Sequence, residues 1–129
     1  MRIVMMLLGM LIVNYSCFRT TQKTDFTEIE FDNRKVDVGS INVYDSVQCN
    51  FSLKNCGDTL LIINNVISSC GCTVPSWMKD PIEVDSIGKI EIIYKSEMLG
   101  EIDEGILVYF NGKSSPVHLS IEGVVIESK

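Results

Sequence analysis

A chain of 129 residues has room for one domain and not for two cores side by side. Hydrophobic residues make up 46%, enough for a core, and a 22% share of charged residues excludes a disordered chain. The formal net charge of -6, with no Lys/Arg cluster, leaves nucleic-acid binding without an electrostatic footprint and disfavours lying flat on anionic lipid.

The first sixteen residues, MRIVMMLLGMLIVNYS, differ from the rest. Arg2 is their only charge, and the apolar run from Ile3 to Val13 is about half the length a spanning helix needs (about twenty residues). A short positive end, a short apolar stretch and then a small residue are the proportions of a signal peptide. Ser16-Cys17 resembles a lipobox with Asn14 in place of its aliphatic residue, which predicts a lipid on Cys17 after cleavage. The chain then turns polar at once, from Arg19 to Thr24. The expected organisation is a lipoprotein signal peptide over 1–16, a polar tether over 17–25 and a folded domain over 26–129. As a random coil the tether reaches roughly 15 Å from the lipid. Acyl chains anchor stably, at about 0.8 kcal/mol for each buried CH₂.

Period-two alternation dominates the remainder, and it sets one series of side chains on one face of a strand. Ile29 and Phe31 begin a first strand, which Val36 and Val38 continue. Val47, Cys49, Phe51 and Leu53 share a face, with Gln48, Asn50 and Ser52 opposite. Asn55-Cys56-Gly57-Asp58 is a turn cluster and Leu60 to Ile67 an almost continuous apolar strand, so a hairpin is expected here. Ile82 and Val84 precede a break at Asp85-Ser86-Ile87-Gly88, followed by Ile90, Ile92 and Tyr94. Ile106, Val108 and Phe110 alternate up to Asn111-Gly112, a pair suited to a tight turn because both residues tolerate positive φ. Val117, Leu119 and Ile121 form the last strand, with His118 on its polar face. With no helical stripe and about seven short strands over roughly 100 residues, the prediction is an all-β, immunoglobulin-like β-sandwich.

Ser69-Cys70-Gly71-Cys72-Thr73 is the one segment that periodicity does not explain. With Asn55-Cys-Gly57-Asp58, the strand to Ile67, Pro81, Gly88 and Ile121-Glu-Gly123, it resembles domain-of-unknown-function family 1573, common among bacterial lipoproteins. The similarity covers about residues 30 to 125; Cys56 and Ser86-Ile87 depart from the family's usual residues. The family resembles the immunoglobulin-like modules of hydin-type proteins, which implies a sandwich and, by fold analogy, an interaction module. It implies no activity.

Beyond Cys17, four cysteines remain. Cys49 reads as a buried small hydrophobe. Cys56, at a turn tip, reads as an exposed thiol, free or paired between molecules; a strand of about 30 Å separates it from Cys70. Cys70 and Cys72 admit three readings: a structural turn in which Gly71 frees the backbone, a dithiol that cycles with an easily reduced disulfide, or a soft-metal pair for an ion such as Cu(I). The lack of a third ligand or resolving thiol that the sequence can place beside them favours the first. Glu28, Glu30, Asp103 and Glu104 read as charged outer faces, and Trp77 as a cover over the Cys loop. No phosphate loop, catalytic constellation or cofactor signature is present. The expected protein is a non-enzymatic lipoprotein of the bacterial cell envelope, facing the periplasm, whose partner is another envelope protein; the rival is thiol redox or soft-metal chemistry at Cys70 and Cys72.

Overall fold

A computed structural model of the chain describes residues 27–128; the expected signal peptide over 1–16, Cys17 and the expected tether over 17–25 lie outside them. Eight strands run in order: β1 (Ile29–Phe31), β2 (Lys35–Asn42), β3 (Ser46–Asn55), β4 (Ile63–Ser68), β5 (Thr73–Trp77), β6 (Ile87–Lys95), β7 (Gly100–Phe110) and β8 (Val117–Ile126). They form two four-stranded sheets, β1-β3-β6-β5 and β2-β8-β7-β4. This is an all-β sandwich, as the alternation predicts, with one strand more than expected.

Burial follows the alternation closely. Cys49, Phe51 and Leu53 of β3 and Ile90, Ile92 and Tyr94 of β6 face Ile106 and Val108 of β7 and Leu119 and Ile121 of β8. Each fully buried aliphatic or aromatic side chain contributes roughly 1.5–3 kcal/mol, so this two-sided core is the main stabilising element.

Four local expectations are corrected. Residues 29–38 are not one strand: β1 pairs antiparallel with β3, whereas β2 pairs parallel with β8 in the other sheet. Period two identifies a face and is silent about a change of sheet in between. Second, β3 and β4 are not a hairpin. They lie in different sheets, and residues 56–62 cross between them. Asn55, fully buried, holds this crossover: its Nδ2 donates to the carbonyls of Thr59 (2.8 Å) and Ile82 (2.9 Å), and its Oδ1 accepts from Gly57 N–H (3.0 Å). Gly57 passes so close to the residues just ahead of β1 that a Cβ would stand 2.6 Å from Thr27 Cα and 2.7 Å from Glu28 N, which only glycine avoids.

Third, the apolar run from Leu60 is part crossover. Leu61 exchanges backbone hydrogen bonds with Ile82 (2.9 and 2.8 Å) and β4 begins at Ile63; Ile82 and Val84 form no strand of their own. Fourth, Asn111-Gly112 is not a two-residue turn. Val108 pairs with Val117, the connection runs through a cis Ser115–Pro116 bond, and neither Asn111 nor Gly112 has positive φ. Asn111 instead ties the β7–β8 connection to the crossover, accepting from Ile62 N–H (2.8 Å) and donating to the Leu60 carbonyl (2.9 Å).

Candidate functional site

The string Ser69 to Thr73 is the second crossover between sheets, from the end of β4 to the start of β5. Each end is sewn to a different sheet. Ser69 N–H donates to the Gly105 carbonyl of β7 (2.9 Å), and the Cys72 carbonyl accepts from Lys95 N–H at the end of β6 (2.9 Å). The hydroxyls hold the middle: Ser68 and Thr73 both donate to the Cys70 carbonyl, at 2.7 and 3.4 Å. Polar residues on both flanks of the cysteines therefore have a local reason, since they satisfy backbone groups that no sheet ladder reaches.

Cys70 and Cys72 are joined by a disulfide, with Cα atoms 5.4 Å apart. The bond closes a ring of only three residues, so by chain entropy it contributes roughly 1.5 kcal/mol, far less than a bond linking distant segments. It ties neither sheet to the other. Gly71 has no positive φ, and apart from its neighbours Cys70 and Cys72 a Cβ there would meet nothing within 4 Å. The missing side chain leaves the surface beside the sulfurs open instead.

Glu104 is the site residue that the sequence reading missed. It was assigned to an outer face, yet it belongs to the inward series Ile102, Glu104, Ile106, Val108 of β7 and pairs with buried Ile121. A charge at an inward position was the available signal. Its Oε2 accepts from Ser69 Oγ (2.8 Å), whose oxygen in turn accepts from Gly105 N–H (3.1 Å). Its Oε1 lies 3.7 Å from Cys72 Sγ. Cys70 Sγ is placed differently and accepts from Cys72 N–H at 3.2 Å. One ligand atom from each of Cys70, Cys72 and Glu104 falls within 4.8 Å of the others, so the reduced pair would offer two sulfurs and one oxygen to a cation. Tyr94 stands at the same end of the sandwich, paired with Thr73; burial, with the Glu104 and Glu97 charges, pushes its hydroxyl above the ordinary tyrosine range.

Other candidates fall elsewhere. Trp77 does not cover the Cys loop: it is four residues along β5, roughly 13 Å away, where it packs on the core and carries Lys79 Nζ 3.0 Å above its ring. His118 is exposed on the outer face of its sheet, as expected, with its ring over Gly105. It lines a shallow cleft of about 300 Å³ with Ile67, Leu107, Ser68 and Ser69. Ile67, Leu107 and His118 lie directly opposite one another across β4, β7 and β8, so the cleft follows two aliphatic side chains and an imidazole and is bordered by the first residues of the string.

Cys49 and Cys56 are both free, the first buried and the second exposed, in agreement with the sequence. Burial raises the Cys49 thiol. Partial desolvation, reinforced by a 3.4 Å hydrogen bond to Glu30 Oε2, raises that of Cys56. Since the thiolate is the nucleophile, alkylation of Cys56 in the folded protein is expected to reach its half-maximal rate at higher pH than a free cysteine does, and Glu30→Gln to move the curve back toward it. Maleimide labelling followed by mass measurement checks this; Cys49 should label only after unfolding.

The profile of the family described as "Protein of unknown function (DUF1573)" matches residues 29–125. The human hydrocephalus-inducing protein homolog is 35% identical over 96 residues, 74% of this chain but only 2% of that protein's length. Among solved structures, PapD-like domain 7 of human CEP192 superposes with a TM-score of 0.68 at 14% identity, covering 86% of this chain and 94% of that one. A Porphyromonas gingivalis W83 protein of unknown function gives 0.68 at 11% identity, over 84% and 51% of the two chains. The structural likenesses establish a PapD-like, immunoglobulin-like sandwich, and the profile match over most of the chain places this protein in the DUF1573 family.

Proposed function

We propose that this chain is an interaction module, held at the bacterial envelope by a lipid on Cys17 and facing the periplasm, that docks another envelope protein. The observation that carries the docking reading is the row of Ile67, Leu107 and His118, two aliphatic side chains and an imidazole, on the outer face of the β2-β8-β7-β4 sheet. Charged and polar side chains are what such a face usually presents to water, and two aliphatic side chains beside an imidazole around a shallow cleft fit a protein surface better than a small reactant. Ile67 is 46% exposed, and Leu60 and Ile62, just ahead of the same edge strand, are also exposed. Kinship with hydin-type and PapD-like modules supports a binding role by analogy of fold.

The test combines anchoring and docking. Cys17→Ser should leave the protein soluble or uncleaved, while the wild type partitions into detergent; identical partitioning and mass would sink the lipid anchor. Affinity purification from the native envelope should recover a partner with wild type and lose at least nine-tenths of it with Leu107→Glu, since a charge at the centre of an apolar contact costs several kcal/mol. Equal recovery would remove the docking face.

A further inference from the structure

We propose that Cys70, Cys72 and Glu104 form a thiol–disulfide exchange site, in which Cys70 makes the mixed disulfide with a partner dithiol and Cys72 is the resolving thiol whose proton Glu104 accepts. The partner is a protein or small molecule carrying two thiols, or the corresponding disulfide. The inference is independent of the docking reading.

Three observations carry it. The Cys70–Cys72 bond joins nothing that the backbone does not already join, so a structural staple is a poor account of it. The two sulfurs have opposite surroundings. Cys70 Sγ receives the Cys72 N–H at 3.2 Å, a donor that stabilises negative charge on sulfur. Cys72 Sγ faces Glu104 Oε1 at 3.7 Å, an acceptor. In the disulfide that sulfur has no proton to give, so the carboxylate is held in place, by Ser69 Oγ at 2.8 Å, for a proton that exists only in the dithiol. Finally, the approach is open: both cysteines are partly exposed, and apart from Cys70 and Cys72 themselves no residue reaches within 4 Å of the position a Gly71 Cβ would occupy.

The exchange balances as follows. A partner thiolate attacks Cys70 Sγ; a new S–S bond forms, the Cys70–Cys72 bond breaks, and its electron pair leaves on Cys72 Sγ, which takes a proton and donates it in a hydrogen bond to Glu104. The partner's second thiolate then attacks its own sulfur in the mixed disulfide, and the electron pair leaves on Cys70 Sγ beside the Cys72 N–H. Two sulfurs of this chain are reduced, two of the partner are oxidised, and the partner's two protons end on Cys70 and Cys72. In reverse, Glu104 takes the Cys72 proton as that sulfur closes on Cys70 and expels the partner thiolate.

The experiment equilibrates the full-length protein, in detergent, across ratios of reduced to oxidised glutathione, and counts alkylated cysteines by mass after unfolding. Cys49 labels throughout and exposed Cys56 exchanges at most one glutathione, which its mass identifies; two further thiols should appear together at one ratio while circular dichroism stays native. Cys72→Ser should accumulate a glutathione adduct on Cys70, at least tenfold more than Cys70→Ser accumulates on Cys72. Glu104→Gln should slow closure of the reduced pair by oxidised glutathione at least tenfold near neutral pH, with the gap narrowing as pH rises and Cys72 loses its proton unaided. No additional thiols at any ratio would overturn the proposal, and so would equal adducts in the two serine variants. Both of those readouts hold whether or not Glu104→Gln folds. An unchanged closure rate in a native-like Glu104→Gln would remove Glu104 from the site.

Discussion

Asn55→Ala is expected to destabilise the domain by about 3–5 kcal/mol, a large part of the 5–15 kcal/mol typical of a whole domain. The side chain is fully buried and uses three hydrogen-bonding positions on three different backbone groups. Alanine removes the side-chain partner of the Thr59 carbonyl and of the Gly57 N–H, and leaves the Ile82 carbonyl with Leu61 N–H alone; a buried group that loses its partner costs about 1–3 kcal/mol. The loss is larger than for an ordinary turn residue because the groups belong to two separate loops, the crossover after β3 and the segment ahead of β6. Asn55→Asp should recover only the bond to Gly57 N–H, because a carboxylate cannot donate to the two carbonyls. Urea unfolding of the three proteins checks the order wild type, Asp, Ala; an alanine variant within about 0.5 kcal/mol of wild type would contradict this role.

Phe51→Ala carries the other large effect, about 3–5 kcal/mol, the usual range for removing a buried aromatic. Phe51 is 1% exposed at the centre of β3, where it pairs with Ile90. Its neighbour Asn50 faces solvent, and Asn50→Ala should cost less than about 0.5 kcal/mol. The contrast between adjacent residues reads the strand register, because a slip of one position exchanges the two faces. Chemical denaturation of both variants measures it, and equal costs would place β3 in the wrong register.

These two residues also mark what the sequence made legible. Phe51 was assigned inward from alternation alone, and the same rule correctly placed Cys49, Leu53, Ile90, Ile92, Leu119 and Ile121. Alternation reports the face a side chain takes, because burial is what selected it. It carries no information about which strand lies alongside. Hence Asn55 was read as the tip of a hairpin, when its side chain organises a crossing between sheets. The Asn111-Gly112 pair failed for a related reason: a side chain that bonds to a distant loop overrides local turn preference, and Asn111 spends its amide on Leu60 and Ile62. β5 was missed because it is short, contains Pro75 and follows directly on the cysteine string. At the candidate site, Ser69 to Thr73 stood out as a string, while Glu104, 32 residues from Cys72, became part of it only through the pairing of β7 with its neighbours. Read strictly, its inward parity marked it; a charged residue among Asp103 and Glu101 disguised it as surface.

The claim that this chain works by docking a protein on one sheet face is tested most directly by photo-cross-linking in the intact envelope. A photoreactive side chain at position 107 faces outward from the β2-β8-β7-β4 sheet, and one at position 50 faces outward from the opposite sheet. Irradiation should give a discrete, heavier adduct from position 107 and none from position 50, both proteins being equally abundant and membrane-associated. The same adducts from both positions, or none from position 107, would contradict it.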